Sequence, residues 1–174
     1  MDYSRLKYIK NVDNINHPEK WAYKYQEDSD EQDENKLLIG HEFQLNFSRR
    51  ARGVENHVRD LPKGSVIILS QSPRGQSRFL THVVELVTMC YEDQPQWTPD
   101  QWGVFRSARV LWVTPHFDNP NRIPVDIDFM RANWGYQGSL AKSLDSKNLK
   151  SAWQNDINNL IRDLEKKRIF GLPN

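Results

Sequence analysis

The chain has 174 residues and a mass of 20.5 kDa, which is enough for one domain with its own core. Its net charge is +1, its mean hydropathy is -0.79, and no apolar run approaches the roughly 20 residues of a membrane-spanning helix. The single cysteine, Cys90, excludes an intrachain disulfide framework and a cysteine-based zinc site. Since the first residues also lack the apolar stretch of a secretion signal, we expect a cytoplasmic protein that does not enter the membrane.

The small net charge hides an uneven distribution along the chain. Residues 27–34, with the sequence EDSDEQDE, contain six acidic side chains and no basic one, so the other 166 residues carry a net charge of +7. Basic residues cluster at Arg49, Arg50 and Arg52, and Arg74 follows in a later turn. Such clusters bind phosphate groups and release counterions. We predict a loop at residues 27–34 and phosphate contacts at the four arginines, with a plain solvated surface as the alternative.

The first half of the chain predicts a polar extension followed by strands and one helix. Residues 1–36 are mostly polar and are predicted to precede the domain. An alternating pattern at 37–47 indicates a strand, and 48–61 has the apolar spacing of a short helix that ends at a Pro-Lys-Gly turn. The β-branched run at 65–70 predicts a buried strand, and 78–89 predicts a second strand that forms a hairpin with it.

The second half predicts one further strand and a C-terminal helix. Residues 107–113 alternate as a strand does, and 114–145 are rich in proline and are expected to be irregular. Apolar residues on one helical stripe predict an amphipathic helix over 146–169 with Ser146 as its cap. The predicted fold class is α+β, in which residues 37–174 form a single domain around a small antiparallel sheet with flanking helices.

The segment NFSRRARGVENHVRDLPKGSVIILSQSPRGQSRFLTHVVELV resembles the PUA-like superfamily, and within it the EVE, YTH and ASCH domains. The resemblance covers roughly residues 37–145 and rests on a short basic helix, the Lys63-Gly64-Ser65 turn, an apolar strand and a strand that contains Thr81-His82-Val83. It implies a small curved β-barrel of about five or six strands.

The resemblance also implies a function, namely a module that binds DNA or RNA and recognises a modified base in an aromatic pocket. Aromatic rings would replace the stacking that an extruded base loses, and polar side chains would read its edge. The sensor of a defence or restriction system is one setting for such a module, which would need an effector protein in another chain. The candidate pocket residues are Phe47, Ser48, Ser70, Gln71, Trp102, Asn133, Trp134 and Tyr136.

Two other classes of function stay open. The first is a small ASCH-type ribonuclease or amidohydrolase that uses Lys63, Thr81 and Glu85, since Thr81 and Glu85 share a face if the strand is regular. The second is an interaction domain whose aromatic loop binds a peptide. The five histidines are scattered without the spacing of metal ligands, and the chain contains neither a nucleophile elbow nor a phosphate-binding glycine loop, so we predict no metal, no cofactor and no assigned catalytic residue.

Overall fold

In the part of the chain that the computed structural model of the protein describes, six strands form one mixed sheet in the spatial order β2-β5-β4-β3-β1-β6. Neighbouring strands are antiparallel except for β1 and β3, which run parallel. The strands are β1 (Leu6–Val12), β2 (Glu42–Phe47), β3 (Val66–Gln71), β4 (Phe79–Leu86), β5 (Val104–Val113) and β6 (Ala141–Ser143). The structure describes residues 2–14, 16–24, 38–47, 54–73, 77–89, 104–130, 134 and 140–170.

The described helices are short and lie on both faces of this sheet. They are α1 (Val54–Asp60), α2 (Lys147–Lys150) and α3 (Ile157–Lys166), and short 3-10 turns occur at Tyr3–Arg5, Pro120–Arg122, Asp126–Asp128 and Ser151–Trp153. In the ranges that the structure describes, no helix has the length and apolar character needed to cross a membrane.

The α+β class is confirmed, and so are the predicted strands, except that the strand predicted at 37–47 covers only Glu42–Phe47. The sheet is mixed rather than antiparallel, because β1 pairs in parallel with β3. The strand predicted at 65–70 is β3, the one at 78–89 is β4, and the one at 107–113 is the second half of β5. β3 and β4 pair as an antiparallel hairpin, as expected from the turn between them. The six strands agree with the five or six expected for a small curved barrel.

The sheet is curled, and one contact across its interior shows this directly. Three strands separate β1 from β2 in the sheet, which corresponds to roughly 19 Å in a flat arrangement. Nevertheless, the Nζ atom of Lys10 in β1 lies 4.7 Å from the ring centroid of Phe47 in β2. The face that carries Lys10 and Phe47 is therefore the concave one, which we call the interior face, and the opposite side is the outer face.

A buried arginine holds α1 against the interior face. Arg106 in β5 has no exposed surface, and its Nη1 donates to the carbonyl oxygens of Val58 and Leu61 at 2.6 and 2.9 Å. The carbonyl groups at the C-terminal end of a helix lack partners within the helix and carry its negative partial charge, so a guanidinium stabilises them. On the other side of α1, His57 Nε2 lies 2.6 Å from the carbonyl oxygen of Ala141 in β6. The helix therefore bridges two strands on opposite sides of the curl.

The prediction that residues 1–36 precede the domain is corrected by β1. Leu6–Val12 pairs in parallel with β3 and antiparallel with β6, so the domain includes residues far upstream of position 37. The sequence LKYIKNV reads as polar because it contains two lysines and an asparagine, yet Lys10 and Asn11 are buried in the sheet. The pairing with β3 joins residues about 60 positions apart, and no local pattern reports such a contact.

The C-terminal region departs from the prediction of one continuous helix over 146–169. The chain has left-handed φ angles of 57° and 62° at Gln154 and Asn155, which interrupt the helix between α2 and α3. Asp156 then caps α3 by accepting a hydrogen bond from the Asn158 backbone at 2.9 Å. The apolar stripe itself is confirmed, and its buried members on the outer face are Leu149, Trp153, Leu160 and Leu164.

The region predicted to be irregular also contains one short strand. β6 (Ala141–Ser143) has only three residues, and its pairing with β1 rather than its own sequence defines it as a strand.

Removal of the Arg106 guanidinium should destabilise the fold strongly. We expect Arg106→Met to lower the free energy of unfolding by about 3 kcal/mol, because the buried carbonyl groups at the end of α1 lose their donor. Urea unfolding followed by circular dichroism measures this change. The matched control is Arg109→Met, in the same strand, because Arg109 forms an exposed pair with Glu42 whose loss should cost less than about 1 kcal/mol. Equal losses in the two variants would contradict this account.

Candidate functional site

Four of the predicted site residues lie in the described part of the chain, namely Phe47, Ser70, Gln71 and Trp134. The structure places all four in buried positions but distributes them over both faces of the sheet. The remaining predicted residues lie outside the described ranges, and they are Ser48, Arg49, Arg50, Arg52, Arg74, Trp102, Asn133 and Tyr136.

Ser70 and Trp134 come together on the outer face through Asp126. The Oδ2 atom of Asp126 accepts a hydrogen bond from Ser70 Oγ at 3.0 Å and another from Trp134 Nε1 at 2.9 Å. Burial raises the pKa of the Asp126 carboxyl group, while these two donors act in the opposite direction. The Trp134 ring packs into the outer-face core with Phe129 and Met130. In this arrangement the ring serves packing, and it does not offer a face to solvent.

Phe47 and Gln71 lie on the interior face. Phe47 has no exposed surface and packs beside Lys10, and it pairs with the first residue of β5, Val104. Gln71 is the last residue of β3 and pairs with Phe79. Because Ser70 and Gln71 are consecutive residues of one strand, their side chains point to opposite faces. The four residues therefore do not line one pocket, and Gln71 belongs to a different cluster from Ser70 and Trp134.

One irregularity in the pairing of β3 with β4 builds that second cluster. Ser70 pairs with Leu80 and Leu69 pairs with His82, so Thr81 is an extra residue in β4. A bulge of this kind redirects side chains and turns two successive ones to the same face. Thr81 and His82 both point to the interior face for this reason, although a regular strand would separate them.

Gln71 uses every hydrogen-bonding position of its side-chain amide. Its Oε1 accepts from the backbone N–H groups of Ala22 and Tyr23, each at 2.9 Å. Its Nε2 donates to Thr81 Oγ1 at 2.6 Å and to the carbonyl oxygen of Tyr23 at 3.1 Å. The two acceptor positions and two donor protons of the amide are thus all occupied. These bonds hold Trp21–Lys24, which we call the covering segment, over the ends of β3 and β4.

His82 lies beneath the covering segment and has no exposed surface. Its Nδ1 is 3.0 Å from Thr81 Oγ1. Nδ1 also lies 3.4 Å from Gln71 Nε2, which can only donate, so Nδ1 is the acceptor in this cluster and the ring proton of His82 is assigned to Nε2. Within the described ranges, Nε2 has no hydrogen-bond partner. Burial lowers the pKa of His82 to about 3, so the ring is neutral at pH 7.

Aromatic rings surround this histidine. The ring of Trp21 meets Phe117 edge to face at 5.1 Å between centroids, and Tyr23 meets Phe43 in the same way at 5.2 Å. The His82 ring lies between them, 5.8 Å from Phe117 and 6.3 Å from Tyr23. We call these residues together with Gln71 and Thr81 the His82 site. It combines flat apolar faces with an amide, a hydroxyl and an imidazole, which is a chemistry suited to a planar polar ring.

The residues proposed for an ASCH-type enzyme do not come together. The extra residue in β4 turns Thr81 to the interior face, whereas Glu85 pairs with Val66 and forms an ion pair with Arg5 on the outer side. The expectation that Thr81 and Glu85 share a face is therefore wrong, because it assumed a regular strand. Lys63 is exposed in the turn that precedes β3. In the described ranges no three histidine, cysteine, aspartate or glutamate side chains gather as metal ligands.

The sequence did contain weak signals for the residues that build the His82 site. Trp21 and Tyr23 are two large aromatic residues separated by one position in an otherwise polar segment. His82 is a histidine within an otherwise apolar β-branched run, a place where an imidazole is unusual. No local pattern connects these positions, because the hydrogen bonds of Gln71 that join them span about 50 residues.

Because the amine of Lys10 is buried, the free energy of unfolding should change with pH in the alkaline range. Burial lowers the pKa of Lys10 to about 7 from 10.5. Between these values the unfolded chain binds more protons than the folded one, so stability should rise with pH by at most about 1.4 kcal/mol per pH unit. Urea unfolding at a series of pH values should show this rise in the wild type and a flatter profile in Lys10→Met. Lys7→Met, an exposed change in the same strand, is the control.

The neutral His82 should make stability fall in acid. Its pKa is about 3 in the folded chain and near 6.5 when exposed, so the unfolded chain binds the extra proton between these values. The free energy of unfolding should therefore decrease as the pH falls from 6.5 towards 3. We expect His82→Phe to flatten this part of the profile. If the free energy of unfolding falls with the same slope in His82→Phe, a group other than His82 causes the loss of stability in acid.

Comparisons of the chain with protein-family models, with curated proteins and with solved structures found no match.

Proposed function

We propose that the protein is a nucleic-acid-binding module that recognises a modified base at the His82 site. The observation that carries the proposal is the buried Nε2–H of His82, a donor without a partner among the described residues in a setting of aromatic rings. A buried polar group without a partner is costly, and such groups are frequent at functional sites. An acceptor on the edge of a bound base would satisfy this donor.

The aromatic rings supply the second part of base recognition. A base that leaves its stack loses stacking energy, and contact with aromatic side chains restores about 1–3 kcal/mol per base. Phe117, which lies outside the covering segment, provides such a face, with its ring centroid 5.8 Å from that of His82. An added methyl group gains a further contribution of about 0.8 kcal/mol when it is buried against apolar surface. The surroundings of His82 thus favour a methylated base over its unmodified form.

Access to His82 requires movement of the covering segment. Trp21–Lys24 is irregular chain, its side chains are half-buried, and Gln71 holds its backbone by three hydrogen bonds. When the segment lifts, the Gln71 amide keeps its bond to Thr81 and releases one N–H donor and its carbonyl oxygen. A donor beside an acceptor is the pattern with which glutamine reads the N7 and N6 edge of adenine. N6-methyladenine, which retains one N6 proton, is the modified base that fits this pattern.

A peptide ligand is the second candidate, and a specific contact favours it. The Gln71 amide is bonded here to peptide groups of the chain itself, and the bound Trp-Ala-Tyr segment places two aromatic side chains in the site. A peptide of the same pattern from another protein would make the same contacts. In that case the module is an interaction domain.

A binding titration at about 50 and 200 mM salt tests the proposal. The oligonucleotides are matched DNA and RNA strands that are unmodified or carry N6-methyladenine, 5-methylcytosine or 5-hydroxymethylcytosine. We expect a preference for N6-methyladenine that survives the higher salt concentration, because base contacts are less salt-dependent than phosphate contacts. Steeply salt-dependent binding without any preference would contradict base recognition. A tighter complex with a peptide of residues 18–24 than with every oligonucleotide would favour the second candidate.

A pair of matched variants locates the binding site. We expect Phe117→Leu to weaken binding of the preferred oligonucleotide about tenfold, because the ring next to His82 loses its stacking contribution. Phe170→Leu removes a buried ring from the outer-face core, where Phe170 packs against Trp112, and should leave affinity unchanged. Equal effects of the two substitutions would indicate a loss of fold rather than of a contact.

A further inference from the structure

Arg78 is a partly exposed arginine whose guanidinium group is held in place by β3. It directly precedes β4, and 24% of its side chain is accessible to solvent. Its Nη2 donates to the carbonyl oxygen of Ser70 at 2.8 Å, and its Nε donates to Ser70 Oγ at 3.3 Å. These bonds fix the plane of the guanidinium at the end of the sheet, so the group loses little conformational freedom when it binds a further partner.

The solvent side of this guanidinium group is occupied by a carboxylate. Asp13, the residue after β1, accepts from Arg78 Nη2 through Oδ1 at 2.9 Å and from Nη1 through Oδ2 at 3.4 Å. The Asp13 side chain is 51% exposed, so this pair can exchange with solvent ions. A guanidinium fork binds a phosphate group in the same two-point geometry. Asp13 thus occupies the position in which the Arg78 guanidinium would bind a phosphate group.

Arg78 is also close to the residues that form the His82 site. Its anchor, Ser70, is followed directly by Gln71, whose side chain points to the interior face and bonds the covering segment. The guanidinium and the His82 site therefore lie on two sides of the same strand end. A nucleotide whose base enters the interior face carries its phosphate past this end of the sheet.

In the described ranges, the charged groups around Arg78 belong to two elements, β1 with the residue that follows it and the 3-10 turn at Asp126–Asp128. Asp13 faces it from the end of β1. Lys10, in β1, interacts electrostatically with both Asp13 and Arg78. Asp126, on the buried side, shares the Ser70 hydroxyl group with Arg78. Exchange of Asp13 for a phosphate keeps a negative partner on the solvent side and leaves the buried contacts unchanged.

We infer that Arg78 binds a backbone phosphate of the nucleic acid and that Asp13 is the intramolecular carboxylate that this phosphate displaces. The inference rests on the proposed function, since it names the contact that holds the sugar-phosphate backbone while the base occupies the His82 site. It assigns phosphate binding to a residue outside the basic cluster at Arg49, Arg50 and Arg52 that the sequence predicts.

The experiment measures the dissociation constant as a function of salt concentration for two probes of equal length. One is a single strand that carries the preferred modified base, and the other is an abasic deoxyribose-phosphate strand that offers phosphates only. We expect Arg78→Gln to weaken both complexes at low salt and to reduce the slope of log K against log salt by about one. Arg78→Lys should retain the slope but bind more weakly, because a lysine keeps the charge and lacks the fork.

Replacement of the competing carboxylate should act in the opposite direction. We expect Asp13→Asn to tighten binding of both probes about fivefold, because the phosphate no longer has to break an exposed ion pair before it binds. The chain offers a matched control in Arg109 and Glu42, which form a comparable exposed pair between β5 and β2. Arg109→Gln and Glu42→Gln should change neither the slope nor the affinity beyond the general effect of net charge. Urea unfolding of each variant confirms that it is folded at the assay temperature.

The outcomes separate this inference from the proposed function. If Arg78→Gln keeps the wild-type slope, or if Asp13→Asn behaves as Glu42→Gln does, phosphate binding at Arg78 is wrong. A base preference that persists in those variants would leave the proposed function standing. Loss of slope in Arg78→Gln with the abasic strand, but no preference among bases, would support the phosphate site and reject base recognition. Failure of the wild type to bind either probe rejects both.

Discussion

Polar side chains that are buried inside the curled sheet need hydrogen-bond partners from the protein itself, because a buried polar group without a partner costs free energy. Arg106 meets this requirement with carbonyl groups of α1, and Gln71 meets it with the backbone of the covering segment. Both sets of bonds join parts of the chain that are more than 40 residues apart. The hydrogen-bonding demand of the interior therefore determines where the helix and the covering segment lie.

At the end of β3, where Ser70 and Gln71 lie, the two faces of the sheet differ in how many buried polar groups have hydrogen-bond partners. On the outer face, the Asp126 carboxylate receives two donors and the nearby ring is packed in the core. On the interior face, the imidazole of His82 keeps a buried N–H group that no described residue accepts. The outer face therefore holds a fully bonded network and the interior face a buried N–H group without a described acceptor, and Arg78 lies beside the strand that joins them.

The sequence predicts the parts of the fold that depend on local pattern. β3 and β4 are apolar, β-branched runs on either side of a turn, and the C-terminal apolar stripe repeats at helical spacing, so both are evident without any long-range contact. β1, in contrast, reads as polar, and only its pairing with β3 and β6 defines it as a strand of the sheet. The break at Gln154 was missed for a related reason, since the residues on either side of it keep the helical spacing.

The sequence by itself determined the α+β class, the hairpin, the apolar stripe and the position of Ser70 and Gln71 at the end of a buried strand. Only the tertiary structure decided which face each side chain occupies. The extra residue in β4 exists only relative to the register with β3, and it brings Thr81 and His82 to the side of Gln71. The partners of a buried polar group are likewise set by segments distant in sequence. Register and burial are properties of paired strands, so a single strand's residues do not specify them.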